Sequence, residues 1–216
     1  THGVNLNAKI RVRDQPRMPT AADAKRQLRE QAHCRAQPFG ITIDAESAHR
    51  VIQIDEADWT LQGCKAGEGD DRVFLNRVGT FGIASIAYWW ARFAGASLRA
   101  AYYLVARLIV SVWLSVFADD YRLEAAGSDI VLALSSVVWL FVLCGIPIKW
   151  TKAVGGTTYP WIGLEVVLEE YALGISANRC NWLIAWMTRL IQDKTTRNYD
   201  FRGGLGRAGF VVSALE

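Results

Sequence analysis

The chain has 216 residues, about half of them hydrophobic, with nine tryptophans and a formal charge of +3. That is too apolar for a disordered chain and long enough to bury one large core, while the mild basicity permits a polyanionic partner without requiring one. Cys34, Cys64, Cys144 and Cys180 show no CxxC spacing and no histidine placed to complete a zinc set, so they read as reduced thiols of an intracellular protein. There is no initiator Met or signal peptide, and the pattern stops at GFVVSALE; the expectation is a segment of a longer polypeptide.

Residues 1–40 are polar and basic, with HGVNLNAKIRVRDQPRMP running into a helical AADAKRQLREQAHCRA. PFGITID reads as a short strand ending on Asp44. WTLQGCKA and DRVFLNRV are two strand-like runs around a GEGDD turn, a hairpin pattern. Residues 83–107 carry helix formers and a single glycine, Gly95, so a long helix follows. Its Arg92, Arg99 and Arg107, spaced by seven and eight, share a face.

VWLSVFA and YRLEAA form a second strand-turn-strand about Asp119 and Asp120. In SDIVLALSSVVWLFVLC, Ser128 is placed to cap a helix with Asp129 in its first turn. PIKWTKA and WIGLEVVLEE look like strands separated by a GGTTYP turn. ANRCNWLIAWMTRLIQ returns to helical spacing, and DFRGGLGRAGFVVSALE reads as a glycine-rich link into a last helix. Strands and helices in this order predict the α+β class, with an antiparallel sheet and helices on one side.

Residues 130–148 contain no charge, which on hydropathy alone makes them a candidate membrane span. Gly145 and Pro147 would end a helix near Cys144, leaving roughly 16 residues where a bilayer needs ~20. The earlier apolar stretch is broken by Arg92, Arg99 and Arg107. A multi-helix membrane protein is therefore a remote alternative.

SVFADDY poses the chemical question. Eleven uncharged residues, Leu108 to Ala118, run straight into two adjacent aspartates. Neighbouring carboxylates repel and are costly to desolvate unless a cation sits beside them. Each acidic site has a plain structural reading: Asp44 as a cap for the SAHR turn, Asp119–Asp120 as a hairpin turn that favours Asp. Taken together, neighbouring strands would bring three carboxylates to one sheet edge. That set suits two divalent metals about 4 Å apart, which stabilise the attacking and leaving oxygens of an in-line phosphoryl displacement.

Five stretches in order resemble the palm of a reverse transcriptase, of the kind found in DIRS-like and gypsy-like retrotransposons. ITIDAESAHRVIQI is similar to the first palm motif, RVGTFGIASIAYWWARF to the second and SVFADDY to the third. CGIPIKWTKAVGG is similar to the fourth, with its lysine, and YPWIGLEV to the fifth, the primer-grip hairpin. The resemblance implies a polymerase right-hand fold: partial fingers at 1–40 and 53–80, palm at 41–52 and 81–175, and the start of a thumb at 176–216. It implies an RNA-directed DNA polymerase, with a catalytically decayed palm that only binds nucleic acid as the alternative.

The roles it implies follow residue by residue. Asp44 and Asp119 would bridge two Mg²⁺ or Mn²⁺ ions, and Asp120 would support one of them. Backbone amides of Ala45, Glu46, Ser47 and Ala48 would lie against the triphosphate, and Gly82 would let the backbone approach the template or incoming base. Lys152, with Lys149 as a rival, would face the leaving pyrophosphate. Trp161, Ile162 and Gly163 would hold the primer. Arg92, Arg99 and Arg107, and the cluster Lys9, Arg11, Arg13 and Arg17, are candidate phosphate contacts. Implied partners are an RNA or DNA template with its primer, deoxynucleoside triphosphates, and the ribonuclease H, recombinase or integrase parts of a polyprotein; no membrane is implied.

Three positions depart from the family pattern. Phe117 stands where Tyr is usual, Thr80 where Pro is common, and His49 where a bulky aromatic usually excludes the ribose 2′-hydroxyl. His49 is expected to act as a smaller, polar gate.

Overall fold

Thr20 opens the first substantial helix through a reciprocal cap. The Asp23 amide donates to its hydroxyl, and the Thr20 amide donates to the Asp23 carboxylate. A computed structural model describes residues 6–67, 69 and 71–215, with the side chains of residues 6 and 213–215 excepted. The turn α1 (Leu6–Lys9) and helix α2 (Ala21–Gln31) precede strand β1 (Phe39–Asp44). Two 3-10 turns (Ala48–Val51, Glu56–Gln62) and the strands β2 (Gly63–Cys64) and β3 (Phe74–Leu75) lead to the long α3 (Ala84–Val105). There follow β4 (Val110–Phe117), β5 (Asp120–Gly127), α4 (Ile130–Leu143) and a 3-10 turn at Trp150–Lys152. The chain closes with β6 (Val154–Gly156), β7 (Thr158–Trp161), β8 (Leu164–Val167), β9 (Ala172–Ile175), α5 (Ala177–Asp193) and α6 (Asn198–Leu215).

The central sheet has the order β4-β5-β1-β6, with antiparallel pairing throughout. Period-two alternation decides its faces. Ile43, Leu114, Tyr121, Leu123 and Ala125 point to one side and pack on Trp90, Ala94 and Ala101 of α3 and on Ala133, Val137 and Phe141 of α4. The uncharged α4 is thereby partly explained, because its inner side is core. Its outer side is not covered: Val131, Trp139 and Leu143 are exposed. No described helix is long and apolar enough to cross a membrane.

Helices were expected on one side of the sheet, yet its other face is covered as well. Helix α2 lies across it, with Gln27 hydrogen bonded to Ser115, Trp113 donating to Glu30, and Gln31 donating to Glu124. Beside α2 sits a second antiparallel sheet, β7-β8-β9, whose Tyr159, Trp161 and Val166, with Leu168 just after β8, pack on Ala24 and Leu28. Gly40 of β1 has no side chain because the Tyr159 ring occupies that space.

Several local expectations are corrected. The first half of the predicted early hairpin is a 3-10 turn, and the β2–β3 ladder is only two residues long; its GEGDD tip falls partly outside the described residues. Ser128 does not cap α4: the Asp129 carboxylate instead accepts from the Ile109 amide at 2.8 Å, and the helix starts one residue later. PIKWTKA is a bridge and a 3-10 turn, Gly155 and Gly156 lie within β6, and Tyr159 and Pro160 lie within β7. Glycines 203, 204, 206 and 209 are inside α6, not in a link before it. Arg107 lies beyond the end of α3, so it does not continue the face of Arg92 and Arg99.

Candidate active site

Strands β4 and β5 are joined by the two-residue turn Ala118–Asp119. Ala118 holds φ at 53°, a left-handed conformation unfavourable for a residue with a Cβ. The indole of Trp90, buried on α3, donates to the Ala118 carbonyl at 2.8 Å and pins the turn. The Ala45 amide donates to the Asp119 carbonyl at 2.9 Å, tying the same turn to the end of β1.

This arrangement brings the aspartates to one edge. Asp44, the last residue of β1, stands directly opposite Asp120, the first of β5, so both side chains leave the same face of the sheet. Asp119 sits beside them at the turn. Burial, then the charges of Asp119 and Asp44, push the Asp120 carboxyl above the usual range, while Lys152 partly offsets this. The register therefore pairs Asp44 with Asp120, whereas the resemblance assigns the bridging role to Asp44 and Asp119.

Lys152 closes the site. Its ammonium forms an ion pair with Asp44, and that hydrogen bond and charge raise the lysine pKa. Lys149, its rival, turns elsewhere: its amide donates to the Asp44 carbonyl at 2.8 Å and its ammonium stands 3.8 Å from Glu46. Three carboxylates are a hard-oxygen donor set of the sort Mg²⁺ or Mn²⁺ takes, and the crowding felt by Asp120 is what a cation would relieve. Among the described residues, no three His, Cys, Asp or Glu side chains are grouped so as to hold a metal ion, and Lys152 engages Asp44.

The amides after Asp44 are only partly free. Ala45 and Glu46 donate to the carbonyls of Asp119 and Pro147, which leaves Ser47 and Ala48 at the head of the 3-10 turn. Ser47 has a left-handed φ of 52°. His49, half-buried on that turn, meets Phe81 edge to face at 5.5 Å between centroids. Gly82 has φ of 93° with open space where a Cβ would be, so conformation is what requires glycine there. Asn7 clamps it, donating to the Gly82 carbonyl at 2.6 Å and accepting from the Ala84 amide.

Opposite the aspartates, Ile162 and Gly163 turn β7 into β8 with φ of 42° and 79°. Positive φ at both positions is the I′ pattern, and a β-branched residue there is strained. A cavity of about 280 Å³ lies between Asp44, Asp120 and Lys152 on one side and Trp161, Ile162 and Gly163 on the other. A larger cleft of about 1040 Å³ lies between α5 and α6 and is lined by none of these residues.

The basic candidates are scattered. Arg92 is held by Asp14 at 2.8 Å and lies over the Tyr88 ring, and Arg17 pairs with Asp23. Lys9, Arg11, Arg13, Arg99 and Arg107 are exposed. Sequence reasoning missed Trp90 and Asn7, which show no local signal. It also missed Arg122 and Glu124, although the alternation in DYRLE places both on the face of Asp120.

No family model and no curated protein matches the chain. Solved structures do. Apo telomerase from Candida tropicalis, truncated from its C-terminal domain, superposes with a TM-score of 0.53 at 11% identity, covering 74% of this chain and 40% of that one. Telomerase from Candida albicans, in complex with a TWJ fragment of telomeric RNA, gives 0.50 at 9% identity over 73% and 33%. The fold is shared with telomerase. At such identities the likeness is one of fold, and the chain spans less than half the length of either telomerase chain. A mixed architecture of helices and antiparallel sheet was expected from the sequence, and the structure has it.

Proposed function

We propose that the chain is the palm region of an RNA-directed DNA polymerase, adding deoxynucleotides to a primer end on a template. The observation that carries this reading is Asp44 opposite Asp120, with Asp119 at the adjoining turn, at the sheet edge of a telomerase-like fold. Two divalent ions, when bound, would lower the pKa of the primer 3′-hydroxyl and neutralise the triphosphate and departing pyrophosphate.

The chain's own residues supply the rest. Asp44 and Asp119 would hold the ions, with Asp120 in support. Lys152, protonated and already beside Asp44, turns to the leaving pyrophosphate as charge stabiliser or proton donor. The amides of Ser47 and Ala48 face the triphosphate, and His49 backed by Phe81 stands against the sugar. The turn at Trp161, Ile162 and Gly163 holds the primer end across the cavity. Origin in a DIRS-like or gypsy-like retrotransposon, an intracellular setting and companion polyprotein domains belong to the same proposal and rest on the five motifs.

The ion pair of Lys152 with Asp44 also suits a second reading, a palm that binds nucleic acid without synthesis. Primer extension on an RNA template with Mg²⁺ or Mn²⁺, native chain beside Asp119→Asn, separates the two. Extension by the native chain alone supports the polymerase; binding without extension supports the second reading; equal extension by both sinks the assignment.

A further inference from the structure

Strand β5 carries two more charged side chains on the face that Asp120 occupies. Arg122 and Glu124 follow at alternate positions, and neither has any exposed surface. They form a double hydrogen bond, Nε to Oε1 and Nη2 to Oε2, each 2.7 Å. Gln31 of α2 donates to Oε2 at 2.6 Å, and the Tyr159 hydroxyl of β7 donates to Oε1. The guanidinium lies over the Trp161 ring, 5.0 Å from its centroid.

Such a pair is a poor source of stability, since apolar residues of equal volume avoid its desolvation cost. What it supplies is a unique mesh. Tyr159 and Trp161 alternate along β7, just as Glu124 and Arg122 alternate along β5, and each aromatic meets its own charged partner. A slip of two residues along β7 would strip Glu124 of its tyrosine donor in a dry interface. The turn at Ile162–Gly163 begins immediately after Trp161, and Asp120 lies two residues before Arg122. We infer that Arg122 and Glu124, through Tyr159 and Trp161, are positioning residues that set the spacing between the hairpin turn and the aspartates. They thereby decide where a primer 3′ end is presented. The inference rests on the polymerase reading.

The test uses the full chain and Tyr159→Phe, which removes one donor and keeps the ring; Arg122→Lys, which keeps the charge and loses the fork, is the second variant. Two readouts are taken. The first is single-turnover addition of one nucleotide to an annealed primer–template. The second is photocrosslinking from a thio-substituted base at the primer 3′ end. The expected result is a rate constant lowered about tenfold or more at unchanged amplitude, with reduced crosslinking to residues 160–164. A merely structural role would lower the amplitude, the folded fraction, and leave the rate constant alone; that result, or unchanged rate and crosslink, overturns the inference. Crosslinking without extension by the native chain would end the polymerase reading, and the variants' crosslink yields would still decide the positioning role. Neither crosslink nor extension by the native chain overturns both.

Discussion

The ammonium of Lys152 sits on the carboxylate of Asp44, at the end of β1 opposite Asp120. A cation thus already stands at the carboxylate of Asp44, within the field of Asp119 and Asp120. If divalent ions bind there, they compete with the lysine for Asp44. Mg²⁺ or Mn²⁺ is expected to raise the melting temperature of the native chain and to leave that of Asp44→Asn unmoved, as read by thermal unfolding with and without metal. Lys152→Ala should bind metal more tightly yet extend a primer about a hundredfold more slowly.

Asp120 is expected to cost stability in its ionised form. Its pKa is raised in the folded chain by burial and by Asp119 and Asp44. A raised carboxyl contributes stability below the unfolded value of 3.8, and that contribution is lost as pH rises through the folded pKa. Asp120→Asn should therefore melt higher than the native chain at pH 7, and the difference should shrink as pH falls toward 3.8. Each kcal/mol corresponds to roughly 2–4 °C in a chain of this size. Melting curves from pH 3.5 to 8 provide the check.

Trp90 holds the Ala118 carbonyl from α3, at a turn whose backbone is strained. Trp90→Phe keeps most of the apolar volume and loses the donor. It should destabilise the chain by about 1–3 kcal/mol and slow primer extension about tenfold. Denaturant unfolding and single-nucleotide kinetics on the same preparation measure the two effects.

Arg122 and Glu124 should show strong coupling. Glu124→Ala leaves a buried guanidinium unpaired and should cost about 3–5 kcal/mol, whereas Arg122→Met with Glu124→Leu should recover only part of that loss, since the Gln31 amide and the Tyr159 hydroxyl then lack their acceptor. Recovery of stability without recovery of the extension rate would be seen by running both assays on the double variant.

His49 stands edge-on to Phe81 where the sugar of an incoming nucleotide is proposed to lie. His49→Tyr should sharpen discrimination against ribonucleotides, by about tenfold. The ratio of kcat/KM for deoxy- and ribonucleotides reports it; an unchanged ratio removes His49 from that role.

Much of this molecule was legible in local pattern. The runs PFGITID and YRLEAA marked two strands, the arginine-bearing run at 83–107 marked the long helix, and the doubled aspartate marked a turn, of which Asp119 is part while Asp120 begins β5. Those features follow from periodicities of two and 3.6, which neighbouring residues set by themselves. The early hairpin and the glycine-rich tail were misread because packing overrides weak propensity: Trp186 lies against Gly204, so α6 continues where glycine alone would argue for a link.

The sequence by itself determined the runs that become β1, α3 and β5 and that three carboxylates lie at or beside strand ends. Only the tertiary structure decided that Asp120 faces Asp44, that Lys152 rather than Lys149 turns to them, and that α2 and β7 close over Arg122 and Glu124. The physical reason is range. Ion pairing and burial of a charge depend on residues 35 to 108 positions apart, brought together by a core whose contacts no local window contains.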